Sequence, residues 1–295
     1  MALSQIALVG LGAMGLPMAT NLVAAGFAVR GYDLRPESRC AFAAAGGAAA
    51  DTPAAAAAGA DALLLTVVNA AQAEDVLFAQ GALEALAPDG IAVLMATCPP
   101  RSVEHLAERV AASGRRFVDA PVSGGVVGAQ AGTLTVMAAA PAGTLAALRP
   151  VLDALGDRIF HVGERPGQGA TVKAVNQLLC GVHIAAAAEA LALAGRVGVD
   201  LDVCLEILSG SSAASWMLRD RGPRMLEDAP RVTSAVDIFV KDLGIVLEAG
   251  RGVGAALPLA ALAHQLFVSS AGRGDGAADD SQVIRAYRLL NGAGA

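Results

Sequence analysis

A chain of 295 residues with 55% hydrophobic and 16% charged side chains is long enough for two domains of ordinary size and too apolar to be disordered. Its formal net charge is −6 and its lysines and arginines are scattered, which argues against a nucleic-acid surface. The longest apolar runs, 53–68 and 184–195, are broken by Asp61 and Glu189, so no membrane span is expected. The opening MALSQIALVG leads straight into a strand-like segment, unlike a signal peptide.

In chain order, Gln5–Val9 reads as a short apolar strand and 14–25 as a helix closed by Gly26. Ala28–Tyr32 is the next strand. Further strand-like runs fall at 62–68, 91–95, 116–118, 134–138 and 159–162, separated by alanine-rich stretches. The alanine tracts at 43–50 and 54–60 read as helix faces. Strands alternating with helices predict an α/β fold with a doubly wound, mostly parallel sheet. After Gly163 the alternation stops: 167–198 has the composition of one long helix, and the rest reads as helices punctuated by Gly and Pro. The expectation is a Rossmann domain over 1–163, then an all-α domain over 164–295 joined by a long helix. Cys40, Cys98, Cys180 and Cys204 are widely spaced and expected to be reduced core thiols of a cytoplasmic protein. The four histidines show no ligand spacing either, so no metal is expected.

Gly10-Leu11-Gly12-Ala13-Met14-Gly15 is a G-x-G-x-x-G that follows a strand and opens a helix, the context a dinucleotide turn requires. Its glycines allow a tight turn and close approach of backbone N–H groups to a pyrophosphate, whose charge a helix start favours. Asp33 ends the second strand, where an acidic side chain would bind the ribose hydroxyls and repel a 2′-phosphate. Asp33 therefore favours NAD over NADP, while the nearby Arg35 is of the type that accommodates the phosphate.

Four ordered blocks give the chain a family resemblance: 10–22 (GLGAMGLPMATNL), 119–137 (DAPVSGGVVGAQAGTLTVM), 167–177 (GQGATVKAVNQ) and 239–243 (FVKDL). Together they resemble the β-hydroxyacid dehydrogenases, the group of 3-hydroxyisobutyrate dehydrogenase and tartronate semialdehyde reductase. The resemblance implies hydride transfer between NAD and a small hydroxy acid, in a homodimer or homotetramer. Each block also makes chemical sense by itself. Ser123, Gly124 and Gly125 offer a hydroxyl and unobstructed N–H groups to a substrate carboxylate. Lys173, Asn176 and Gln177, spaced i, i+3 and i+4, share one helix face in an alanine-rich segment. A buried lysine must find partners or give up its proton, and alcohol oxidation needs a proton acceptor as hydride leaves. The resemblance assigns that role to Lys173, with the neighbouring amide orienting the substrate, and implies that Lys241 reaches the nicotinamide end of the cofactor. Thr97 follows the strand at 91–95; where the family usually has serine before this threonine the chain has Ala96, which leaves Thr97 as the ribose contact.

The segments 176–189, 209–221 and 234–243 resemble the L-threonate dehydrogenase branch. A serine-rich stretch with Trp216, Arg219 and Arg221 suits a polyhydroxylated acid, although Trp216 reads first as a packing residue and the arginines can be solvated charges. Tartronate semialdehyde and 3-hydroxyisobutyrate are the rival substrates. Imine reductases have a similar two-domain plan but generally lack a lysine at the position of Lys173. A non-catalytic NAD(H)-binding module would have lost that lysine or the serine–glycine turn, and both are present.

Overall fold

The computed structural model describes residues 3–292. Among them, nine strands form one sheet: β1 (Gln5–Val9), β2 (Ala28–Tyr32), β3 (Ala48–Ala49), β4 (Ala62–Leu65), β5 (Ile91–Leu94), β6 (Arg116–Asp119), β7 (Val122–Ser123), β8 (Thr135–Ala139) and β9 (Arg158–Gly163). Helices α1 (Gly15–Ala24), α2 (Pro36–Ala44), α3 (Pro53–Ala57), α4 (Ala70–Glu74), α5 (Ala82–Ala85), α6 (Pro100–Ala112), α7 (Gly125–Ala131) and α8 (Ala142–Asp153) connect them. The order is β3-β2-β1-β4-β5-β6-β8-β7, with β9 also paired to β8. All pairings are parallel except those of β8 with β6 and β7. The expected doubly wound sheet is therefore present, with a mixed edge.

Both faces of the sheet are covered, which is why its strands read as continuous apolar runs. Along β1, Ile6 and Leu8 enter one core while Ala7 and Val9 enter the other. Two local expectations fail. The tract at 43–50 is not one helix face: α2 stops at Ala44, Gly46 takes φ +87°, and the chain re-enters the sheet as β3. In the tract at 54–60 only α3 is helical, capped by Thr52 Oγ1 accepting from Ala55 N at 3.0 Å. Of the four cysteines only Cys98 and Cys180 are buried; Cys40 is exposed on α2, contrary to the expectation of a core thiol.

The chain divides into two compact units between Lys173 and Ala174, within helix α9 (Gln168–Arg196). By length and composition α9 could cross a bilayer, which the interrupted run at 184–195 does not suggest; half of its most apolar stretch is buried inside the protein. The second unit continues with α10 (Leu201–Gly210), α11 (Trp216–Met225), α12 (Val236–Val253), α13 (Pro258–Ser270) and α14 (Ile284–Leu290). Its core includes Ile184, Leu191 and Leu243 and the stacked pair Phe239–Phe267, ring centroids 5.2 Å apart. Beside it lies a buried ionic network. Arg221 donates through Nε and Nη2 to both carboxylate oxygens of Asp280 at 2.9 Å, and Arg224 donates to Asp279 at 2.8 Å. Arg221 is thus a buried structural cation and not the solvated charge that the sequence allows. Ser215, in the serine-rich stretch, caps α11 by accepting from Leu218 N at 2.9 Å.

Removing one member of a buried pair strands the other charge, at a cost of about 3–5 kcal/mol. Arg221→Leu is therefore expected to lower Tm by roughly 6–20 °C. The double variant Arg221→Leu with Asp280→Leu should recover much of that loss, since a well-packed apolar pair often replaces a buried ion pair without penalty. Thermal denaturation monitored by circular dichroism tests both.

Candidate functional site

The turn leaving β1 is built so that only glycine fits at its two ends. A Cβ on Gly15 would lie 1.8 Å from Gly10 O, and Gly10 itself takes φ +103° with its Cα turned against Thr66, whose Oγ1 donates to Gly10 O at 2.6 Å. At Gly12 the nearest neighbour of such a Cβ is Arg35 Nη2, 3.6 Å away, so its face is open. Helix α1 follows with no side chain capping its start; Leu16 N and Met18 N donate to Gly12 O and Met14 O, and Pro17 has no N–H, which leaves Gly15 N among its first four residues. β1 and β4 are adjacent, and the chain winds outward from them in both directions, so this turn stands at the switch point of the sheet, where doubly wound folds bind dinucleotides. The spacing of closed and open positions fits a pyrophosphate.

Asp33, buried at the end of β2, accepts from Arg35 N at 2.9 Å, Arg35 Nε at 3.0 Å and Arg35 Nη2 at 3.3 Å. Burial alone would raise its pKa, but the Arg35 hydrogen bonds and charge, helped by Leu11 N–H, hold the carboxyl below its ordinary value. Arg39 Nη1 donates to Asp33 O at 2.7 Å. The acidic and basic groups that sequence sets in opposition are therefore paired with each other beside the glycine turn.

The other predicted residues of this unit leave the same edge of the sheet. Half-buried Thr97 follows β5, and Ser123 ends β7, paired with Thr135 of β8. Gly124 and Gly125 both take positive φ, +130° and +61°, and nothing lies within 4 Å of where a Gly125 side chain would begin. Lys173 is buried, at 6% exposure, in the second turn of α9. Sequence reasoning assigned no role to Asp119, which ends β6 and is 1% exposed. Its Oδ2 accepts from Gly167 N and Ala170 N, both at 2.9 Å. Burial pushes this carboxyl up to about 6 against the pull of the Ala170, Gly167 and Gly169 N–H groups. An acidic residue closing an apolar strand at the head of the 119–137 block was the available signal.

In the second unit, Gln177 Nε2 donates to Asp242 Oδ2 at 2.5 Å and Lys241 Nζ donates to Asp242 Oδ1 at 2.6 Å. Asp242, which was quoted in a motif but given no role, therefore joins two predicted site residues. Asn176, half-buried one turn beyond Lys173, accepts from Cys180 Sγ at 3.8 Å.

Two family models match. The NAD binding domain of 6-phosphogluconate dehydrogenase covers residues 5–163, and the NAD-binding domain of NADP-dependent 3-hydroxyisobutyrate dehydrogenase covers residues 167–287. The chain is 45% identical over 284 residues to an L-threonate dehydrogenase of Cupriavidus necator, covering 96% of each chain. It is 36% identical over 274 residues to a 3-hydroxyisobutyrate dehydrogenase of Pseudomonas aeruginosa, covering 90% of this chain and 91% of that one. The crystal structure of a Salmonella typhimurium protein described as 3-hydroxyisobutyrate dehydrogenase is similar at a TM-score of 0.91 and 38% identity, over 96% of this chain and 99% of that one.

The Asp33–Arg35 pair yields a test of coenzyme choice. Asp33→Asn removes the charge that repels a 2′-phosphate and releases Arg35 toward it. A charge-assisted hydrogen bond contributes about 1.5–3 kcal/mol, so kcat/KM for NADP is expected to rise about 10–100-fold relative to NAD. Steady-state kinetics with each coenzyme check it; an unchanged ratio would remove Asp33 from coenzyme selection.

Proposed function

The chain belongs to the β-hydroxyacid dehydrogenase family, and from that premise we propose that it oxidises L-threonate at C2 to the 2-oxo acid, with Lys173 accepting the hydroxyl proton. It is an NAD-dependent hydroxyacid dehydrogenase; what is proposed is the substrate and the residues that act on it. In this reading residues 1–163 form the dinucleotide-binding domain and 164–295 the substrate and oligomerisation domain of a cytoplasmic homodimer or homotetramer.

NAD, when bound, supplies the hydride acceptor. Gly10, Leu11, Gly12, Ala13, Met14 and Gly15 would hold its pyrophosphate, Asp33 the adenosine ribose, and Thr97 and Lys241 the nicotinamide end. The turn Ser123-Gly124-Gly125 binds the substrate carboxylate through the Ser123 hydroxyl and backbone N–H groups. Asn176 and Gln177 orient the hydroxyls. As the C2–H bond breaks with its electron pair, the O–H proton passes to the Lys173 amine, and the ammonium returns it when the reaction runs toward the hydroxy acid.

The burial of Lys173 carries the mechanistic reading. Lysine is seldom buried, because desolvating an ammonium is costly. Here it shares a face of an alanine-rich helix with Asn176. The choice of L-threonate is supported by 45% identity to an enzyme of that name against 36% for the 3-hydroxyisobutyrate enzyme. Arg221, held by Asp280, no longer supports it.

NADH formation with L-threonate, D-glycerate and 3-hydroxyisobutyrate tests the substrate. The highest kcat/KM is expected with L-threonate and NAD. Lys173→Ala should lower kcat about 10²–10⁴-fold and leave NADH binding intact. If the purified protein binds NADH and turns over none of the three acids, the substrate assignment fails and imine reduction becomes the next assay. Preference for 3-hydroxyisobutyrate would move the chain to that branch.

A further inference from the structure

We infer that Asp119 is a positioning residue, holding the start of the helix that carries Lys173 against the strand end that leads into the Ser123-Gly124-Gly125 turn. This sets the spacing between proton acceptor and carboxylate site, and it rests on the reading of Lys173 as the base.

A helix start leaves N–H groups without partners and is ordinarily capped by a Ser, Thr, Asp or Asn just before it. The residues preceding α9, Glu164-Arg165-Pro166-Gly167, include none of these. The cap comes instead from Asp119, 48 residues from Gly167 in the chain, and one oxygen of its buried carboxylate takes both N–H groups. The backbones meet as closely: a Cβ on Gly169 would lie 2.5 Å from Met137 O and 2.8 Å from Asp119 O. The first turn of α9 is thus seated directly on the end of β6 and the middle of β8.

From this anchor the structure is stiff in both directions. Toward the carboxylate site, Ala120 N donates to Leu94 O at 2.8 Å, Pro121 O accepts from Met137 N at 3.0 Å, and Ser123 pairs with Thr135. Toward the base, Lys173 stands three residues beyond Ala170 and four beyond Gly169, on the same side of the helix and about 5 Å further along it. A shift of the first turn therefore moves Lys173 relative to Ser123, and a misplacement of about 1 Å can cost about 10²-fold in rate.

The test compares Asp119→Ala, Asp119→Asn, Gly169→Ala and Lys173→Ala in the full chain, using L-threonate kinetics, NADH Kd and amide hydrogen exchange over 167–173. Asp119→Ala is expected to lower kcat about 10²-fold, change NADH Kd less than about twofold, since β4 and β5 separate β6 from the β1 turn, and speed exchange at Gly167 and Ala170. Asp119→Asn keeps an oxygen where both N–H groups point, so it should restore slow exchange and most of kcat. Gly169→Ala keeps the Asp119 carboxylate but displaces the turn by crowding Met137 O, Asp119 O and Asp119 Cγ; it should reproduce the kcat loss, which keeps the test decisive if Asp119→Ala does not fold. Wild-type kcat in Gly169→Ala, unchanged exchange in Asp119→Ala, or an Asn variant as impaired as the Ala variant overturns the inference. Retained kcat in Lys173→Ala would instead sink the base assignment, and the exchange data would still report on the anchor.

Discussion

Strand direction is the constraint from which the first unit follows. β1, β2, β4, β5 and β6 run parallel, so their carboxyl ends, and every turn leaving them, share one edge of the sheet. The glycine turn leaves β1, Asp33 follows β2, Thr66 follows β4, Thr97 follows β5 and Asp119 closes β6. Residues drawn from five strands are thereby collected at one edge without being close in sequence. Burial of both faces supplies the rigidity, because each strand contributes side chains to two cores and cannot slide by one residue without exchanging them.

Four carboxylates withdrawn from water follow a second rule: each is handed to a partner that fixes an element. Asp33 is held by Arg35, Asp119 by the start of α9, Asp280 by Arg221 and Asp242 by Gln177 and Lys241. The energetic case differs among them. The Arg35 side chain is about half exposed, so its pair adds little stability and acts mainly to place two charges beside the glycine turn. Asp280 is fully buried, and its ion pair is a commitment: neither partner can be lost singly without cost. Burial pushes the Asp280 carboxyl upward, and the Arg221 hydrogen bonds and charge oppose it.

What could be read from sequence was what periodicity and local motifs encode. The parallel sheet, the glycine turn and the long helix from 168 to 196 all announce themselves within a window of a few turns. β3 and β7 do not, since two residues each are too few to show alternation. For Asp119 the sequence marks an acidic residue at the end of an apolar strand but not what it binds: its partners lie 48 and 51 residues away, and no local pattern marks a cap supplied by another element. Arg221 was misjudged likewise, its carboxylate being 59 residues distant. The alanine tract at 43–50 misled because composition favours helix throughout, while Gly46 and Gly47 decide where it stops.

The glycines themselves separate structure from function. At Gly15 and Gly169 a side chain would collide with the protein's own backbone, so packing alone accounts for glycine there. At Gly12 and Gly125 nothing in the protein comes within 3.4 Å of a side chain's first atom. Gly125 has a backbone reason, its positive φ; Gly12 has none. Gly12 lies just before α1, whose start no side chain caps. Neither packing nor backbone conformation therefore requires glycine at Gly12, where the first atom of a side chain would meet only the flexible end of Arg35, at 3.6 Å.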